Sequence, residues 1–169
     1  MSVNQMSKRV IDIMETLTKN KAIAQLLLND DVDNPYPYRT DVTEAQMRGL
    51  LMTKIFPYPF DVEVTTTDEA FIRVYYNDGE FNENETITES NIIIDIVVAK
   101  SLWLIRADDV LAGKVVGRVR PYELFDRVVD MVGKRSARPL VKFEGFQHLY
   151  INTKYEAFRL YATDFSVEA

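Results

Sequence analysis

Asn91-Ile92-Ile93-Ile94-Asp95-Ile96-Val97-Val98-Ala99-Lys100 is the stretch whose reading decides the fold. It has strand length and is dominated by β-branched residues. It is apolar at odd and even positions alike, as a central strand covered on both faces must be. Upstream, residues 60–66 and 70–77 are again rich in Val, Ile, Thr and aromatic side chains. Only Thr67-Asp68-Glu69 separates them, so they read as a hairpin. Downstream, residues 140–143, 146–151 and 155–163 have strand character, with Asn152-Thr153-Lys154 as the turn between the last two.

Helices flank these strands. Val10, Ile13, Met14 and Leu17 recur at helical spacing after a Ser7 suited to capping, and Ile23, Leu26 and Leu27 continue the stripe past Asn20, which predicts a helix over residues 8–28. A second helix is expected over residues 43–54, capped by Asp41 or Thr43, with Met47, Leu50 and Leu51 turned inward. The clearest helix opens at Arg120-Pro121, because proline has no N–H to leave unpaired in a first helical turn. Leu124, Phe125, Val128, Val129 and Val132 then form one apolar face, and Gly133 closes it. Gly113 and Gly117 argue against a long helix between residues 103 and 117.

Strands in hairpin-linked runs, rather than in alternation with helices, define an α+β class: a mostly antiparallel sheet packed against two or three helices. The 169 residues, 47% hydrophobic, suffice for one core and one domain. That domain divides into a helical part at about 8–54, a sheet with its packing helix at about 60–165, and a mobile acidic loop at 78–90.

The search for chemistry returns little. The six glycines form neither GxGxxG nor GxxxxGK[ST], so the common phosphate cradles are missing and no cofactor is expected. There is no cysteine and one histidine, His148, which leaves no thiolate ligand and no GxSxG elbow to pair with an imidazole. Asp30-Asp31-Val32-Asp33 and Asp108-Asp109 are acid clusters without a calcium-loop pattern. No residue is nominated as catalytic or metal-binding, and the chain is expected not to be an enzyme. The polar first ten residues and the lack of any run of about 20 apolar residues give the expectation of a soluble, intracellular protein without a membrane partner.

Charge is more informative. The net charge of -6 disfavours general nucleic-acid binding, which depends on cations displacing counterions from phosphate. The segment 78–90 holds five acids and no base. Residues 114–142 hold eight Lys or Arg against three acids. Complementary patches on one molecule favour heterologous contact between copies, which rotation closes into a ring. Each run is equally what a solvated surface would show. The candidate interface residues are Glu80, Phe81, Glu83, Glu85, Glu89, Arg118, Arg120, Lys134, Arg135 and Arg138.

Taken with the N-terminal Ile13/Leu17/Leu26 helix, the strand Ile92-Ile93-Ile94-Asp95-Ile96, the segment Arg120-Pro121-Tyr122-Glu123-Leu124 and the closing strand at 155–164, the chain resembles tail-terminator and neck (head-tail joining) proteins of tailed bacteriophages. The resemblance implies a structural virion subunit, assembled in the host cytoplasm. It implies a hexameric ring that ends the tail tube and meets the head-side connector or stopper, with DNA only passing through the lumen. The two-proline loop at 35–37 and the second helix at 43–54 depart from a plain terminator. Another neck or baseplate component, such as a stopper or tail-completion protein, therefore stays open, as does an interaction module unrelated to phage.

Overall fold

The structure, a computed structural model, describes residues 1–29, 37–61, 67–111 and 114–164. In chain order the elements are α1 (Asn4–Thr18), α2 (Lys21–Leu28), α3 (Glu44–Arg48), β1 (Ile55–Phe56), β2 (Ala70–Phe81), β3 (Ile87–Ala99), β4 (Leu104–Leu111), β5 (Lys114–Val119), α4 (Arg120–Val132), β6 (Val141–Tyr150) and β7 (Tyr155–Asp164). Five strands make one sheet in the order β1-β2-β3-β7-β6, and β4 pairs with β5 in a separate ribbon. All pairs are antiparallel except the short β1–β2 contact. The class is α+β, as the sequence indicates.

The Asn91 stretch lies in β3, mid-sheet, as far as Ala99, with Lys100 opening the 3-10 turn that follows, and its residues from Ile92 to Ala99 are all buried. Its even positions face the helices: Ile94 stands between Val74 of β2 and Leu160 of β7, in one core with Leu17 of α1, Leu26 of α2 and Leu124 of α4. The odd positions face the other way. At one end of that second face Phe60 packs on Phe71 and Tyr155, and Phe56 lies 3.9 Å from the Arg73 guanidinium, a cation–π contact.

The centre of that face is polar. Asp95, 4% exposed, accepts a 2.9 Å hydrogen bond from Arg159 Nε and a 2.6 Å bond from the Tyr75 hydroxyl. Hydrogen bonds to Asp95 push the Arg159 guanidinium above its ordinary pKa and outweigh the opposing effect of burial. Burial, with the bond to Asp95, raises the Tyr75 phenol well above its usual value, so the hydroxyl stays neutral and the guanidinium charged at any ordinary pH.

Several expected boundaries move. The single N-terminal helix is two helices, because Asn20 takes an extended conformation and its Oδ1 accepts from the Ile23 amide at 3.0 Å, capping α2. Ser7 lies inside α1 rather than at its cap. Replacing Asn20 with Ala removes that acceptor and should cost about 1 kcal/mol, seen as a fall in Tm of about 2–4 °C. Thr43 is the cap of α3, in a capping box with Gln46. The helix stops at Arg48 rather than 54. Leu50 O there gathers the amides of Thr53, Lys54 and Ile55, Met52 adopts φ 63°, and the chain turns into β1.

The hairpin expected from residues 60–66 and 70–77 falls partly outside the described residues; within them β2 pairs with β3 and, at Ile72 and Arg73, with β1. The strands expected at 140–143 and 146–151 are one strand, β6, with a register shift between Phe143 and Gly145. Asn152 forms the predicted turn by accepting from the amides of Lys154 and Tyr155. α4 begins at Arg120 and is closed by Gly133 as expected, with Leu124, Val128 and Val132 buried.

The largest correction concerns residues 78–90. They are not a free loop but the outer part of the β2–β3 ribbon, paired Asp78 with Asn91, Gly79 with Ser90, Glu80 with Glu89 and Phe81 with Ile87. Three features order it. Ile87 is buried and exchanges both backbone hydrogen bonds with Met1, at 2.9 and 3.2 Å. Asn82 Oδ1 accepts from the amides of Asn84 and Thr86, both at 2.9 Å, closing the turn. Glu85 supplies the left-handed residue, φ 57°, that lets the chain reverse.

Candidate assembly surfaces

The acidic hairpin presents Glu80, Phe81, Glu83, Glu85 and Glu89 to solvent, and Phe81 is 62% exposed. Glu80 and Glu89 stand directly opposite each other across the ribbon, an arrangement of like charges that weakens a strand pair. Among the described ion pairs none involves Glu80, Glu83, Glu85 or Glu89, so the tip carries uncompensated negative charge.

The basic candidates divide. Arg118 is exposed but pairs with Glu123 at 3.0 Å, and Arg135 pairs with Asp130 at 2.8 Å. Lys134 and Arg138 are exposed in the loop between α4 and β6, without an ion pair among those described. Arg120 does not belong with them. It is 2% exposed, and its guanidinium donates to Leu102 O at 2.9 Å and to Leu26 O at 2.5 Å. A long charged side chain at a helix start reads as surface; here the two carbonyls, one in the last turn of α2, draw it inside.

The strand registers place the two charged patches at one end of the sheet. Asn91, Thr163 and Lys142 lie side by side on β3, β7 and β6. The acidic ribbon continues beyond Asn91, and the basic loop runs into β6 just before Lys142. The patches are thus level along the strands and separated across them by two strand spacings, about 10 Å.

A further surface lay unread in the sequence. β6 is an edge strand, and on its helix side Phe146 and Tyr150 are 63% and 66% exposed, flanked by the exposed Tyr122 of α4. His148 lies between them, its ring stacked on Phe158 and its Nε2 2.5 Å from Glu156 Oε2. The signal was available as alternation: Phe146, His148 and Tyr150 occupy every second position, a solvent-facing row of rings where polar residues are usual. Lys100 and then His148 hold the Glu156 carboxyl below its ordinary pKa by hydrogen bonds. The stabilisation this gives is present above the ordinary carboxylate range and fades as pH falls through the depressed value.

Asp30 to Asp33 lie outside the described residues, and Asp108 and Asp109 fall within β4. No group of three or more potential ligands is found among the described residues. A cleft of about 490 Å³ between α1 and α3 has an apolar wall of Met47 and Leu51 and a mixed charged rim that includes Lys19 and Glu44. No described helix is long and apolar enough to cross a membrane.

The family model for YomW matches residues 20–163, which spans everything from the cap of α2 to the last residues of β7. The chain belongs to the YomW family. The match thus takes in the central strand, the acidic ribbon, the basic loop and the aromatic edge together. YomW membership supports a phage-associated protein and carries no specific place in a particle. No curated protein and no solved structure matches the chain significantly.

Proposed function

We propose that this YomW-family chain is a structural, non-enzymatic subunit of a phage neck that assembles side by side into a closed ring of six. The ring ends the tail tube and meets the head-side connector. The supporting observation is the pairing of an uncompensated acidic ribbon with a partly uncompensated basic loop, level along the strands but apart across the sheet. Repeated by rotation about an axis parallel to the strands, such patches meet between neighbours at the same height, and the contact closes. DNA passes through the bore without being gripped, in keeping with a net charge of -6.

The test is the solution mass and negative-stain appearance of the purified protein, alone and with tail tubes. A ring of six times the 19.5 kDa chain mass, in solution or at tube ends, is the expected result. A monomer that ignores tubes at every concentration would overturn the reading and return attention to an interaction module or an enzyme.

A further inference from the structure

The two open edges of the sheet are matched in direction, charge and position. β2 is antiparallel to β3, β3 to β7 and β7 to β6, so β6 runs opposite to β2. Rotation about an axis along the strands preserves strand direction. The β2 of the next copy therefore meets β6 in the antiparallel sense, the pairing of the rest of the sheet. Both edges are open among the described strands: β6 ends the sheet order, and β1 covers β2 only at Ile72 and Arg73.

We propose that copies of this chain join by pairing the outer half of β2, from Val74 to Phe81, with β6 of the neighbour, so that one sheet continues around the assembly. This deepens the ring reading and rests on it. Three observations select the occupant. First, the outer half of β2 carries Asp78 and Glu80, and Lys142 is the second residue of β6, which follows the loop holding Lys134, Arg135 and Arg138. In the side-by-side arrangement the acidic end of one strand lies against the basic end of the other. Second, acid against acid blocks β2 from pairing with the β2 of another copy, a common way for edge strands to avoid wrong partners. Third, the pairing brings the helix side of β6, with its exposed Phe146 and Tyr150, beside the helix layer of the neighbour, where Ile11 of α1 and Val3 just before that helix are open to solvent.

Asp78 and Lys142 lie in one row of the sheet, the first beside Asn91 and the second beside Thr163, which is itself beside Asn91. Unshifted pairing sets Asp78 of one copy opposite Lys142 of the next. The chain has no cysteine, so introduced thiols report without background. The experiment combines Asp78→Cys in the full chain with Lys142→Cys, or with Leu140→Cys or Glu144→Cys to cover a two-residue shift either way, followed by oxidation and a denaturing gel. One of the three should give a disulfide ladder ending at the ring number, and single-cysteine variants should give dimers at most.

Oligomers of defined mass without a ladder in any combination would overturn edge pairing and leave the ring standing. A chain monomeric under all conditions would overturn both. Near-complete dimers from Glu144→Cys alone would point to β6 pairing with itself and also sink the proposal. As a check that needs no disulfide, Glu80→Lys with Glu89→Lys should weaken association at least about tenfold, and adding Lys134→Glu with Arg138→Glu should restore it. Loss without rescue would count against the pairing.

Discussion

Arg159→Met should lower the stability of the folded chain by about 3 kcal/mol, the largest single effect expected on the face of the sheet away from the helices. The cost does not come from the arginine, which is partly solvated, but from what it leaves behind. Asp95 sits at the centre of β3 with its side chain 6% exposed, and Arg159 supplies it with two hydrogen bonds, at 2.9 and 3.2 Å. Removing one partner of a buried pair strands the other charge, which is far costlier than losing the pair as a whole. Chemical denaturation should show a lower midpoint at an unchanged slope, with a fall in Tm of roughly 6–12 °C. The double change Asp95→Leu with Arg159→Met should recover most of the loss, since paired apolar replacements of buried ions are often close to neutral. If the double variant is as unstable as the single, the cluster contributes packing rather than charge balance.

Arg120→Met is expected to cost about 2–4 kcal/mol, because it strips a charged donor from the carbonyls of Leu26 and Leu102. The two carbonyls lie on separate parts of the chain, one at the end of α2 and one in the 3-10 turn Lys100–Leu102, and Arg120 itself opens α4. Methionine keeps much of the length and apolar bulk, so the variant isolates the hydrogen bonds. Hydrogen exchange should show the last turn of α2 opening more readily than the core of β3, an outcome that mere loss of packing at α4 would not produce. Assembly is the second readout. If Arg120 were an interface residue, the variant would fold normally and fail to associate; the structure predicts the opposite order of effects.

What could be read in advance follows from how far each signal reaches along the chain. Thr43 with Gln46, Pro121 after Arg120 and Asn152 before its two amides all act within four residues, and all three mark the boundaries that local pattern assigns to them. Asn20 acts at the same range, yet the apolar stripe on both sides of it concealed a cap inside what read as one helix. The acidic ribbon was misread for the opposite reason. Its charge and turn-rich composition favour a loop, and its order comes partly from Met1, 86 residues away, bonding to Ile87. Of the candidate interface residues, the five on the ribbon and Arg118, Lys134, Arg135 and Arg138 are exposed, with Arg118 engaged by Glu123 and Arg135 by Asp130.

The sequence by itself determined the α+β class, the central strand, the amphipathic α4 and the presence of two oppositely charged segments, because periodicity and short-range capping are written into neighbouring residues. Only the tertiary structure decided that Arg120 is interior, that the acidic segment is a strand ribbon, that β6 is an aromatic edge, and that acid and base lie level at one end of the sheet. Those four depend on strand order and on partners far apart in the chain. A charge is indifferent to being buried or exposed until the fold brings, or fails to bring, a group that can bond it.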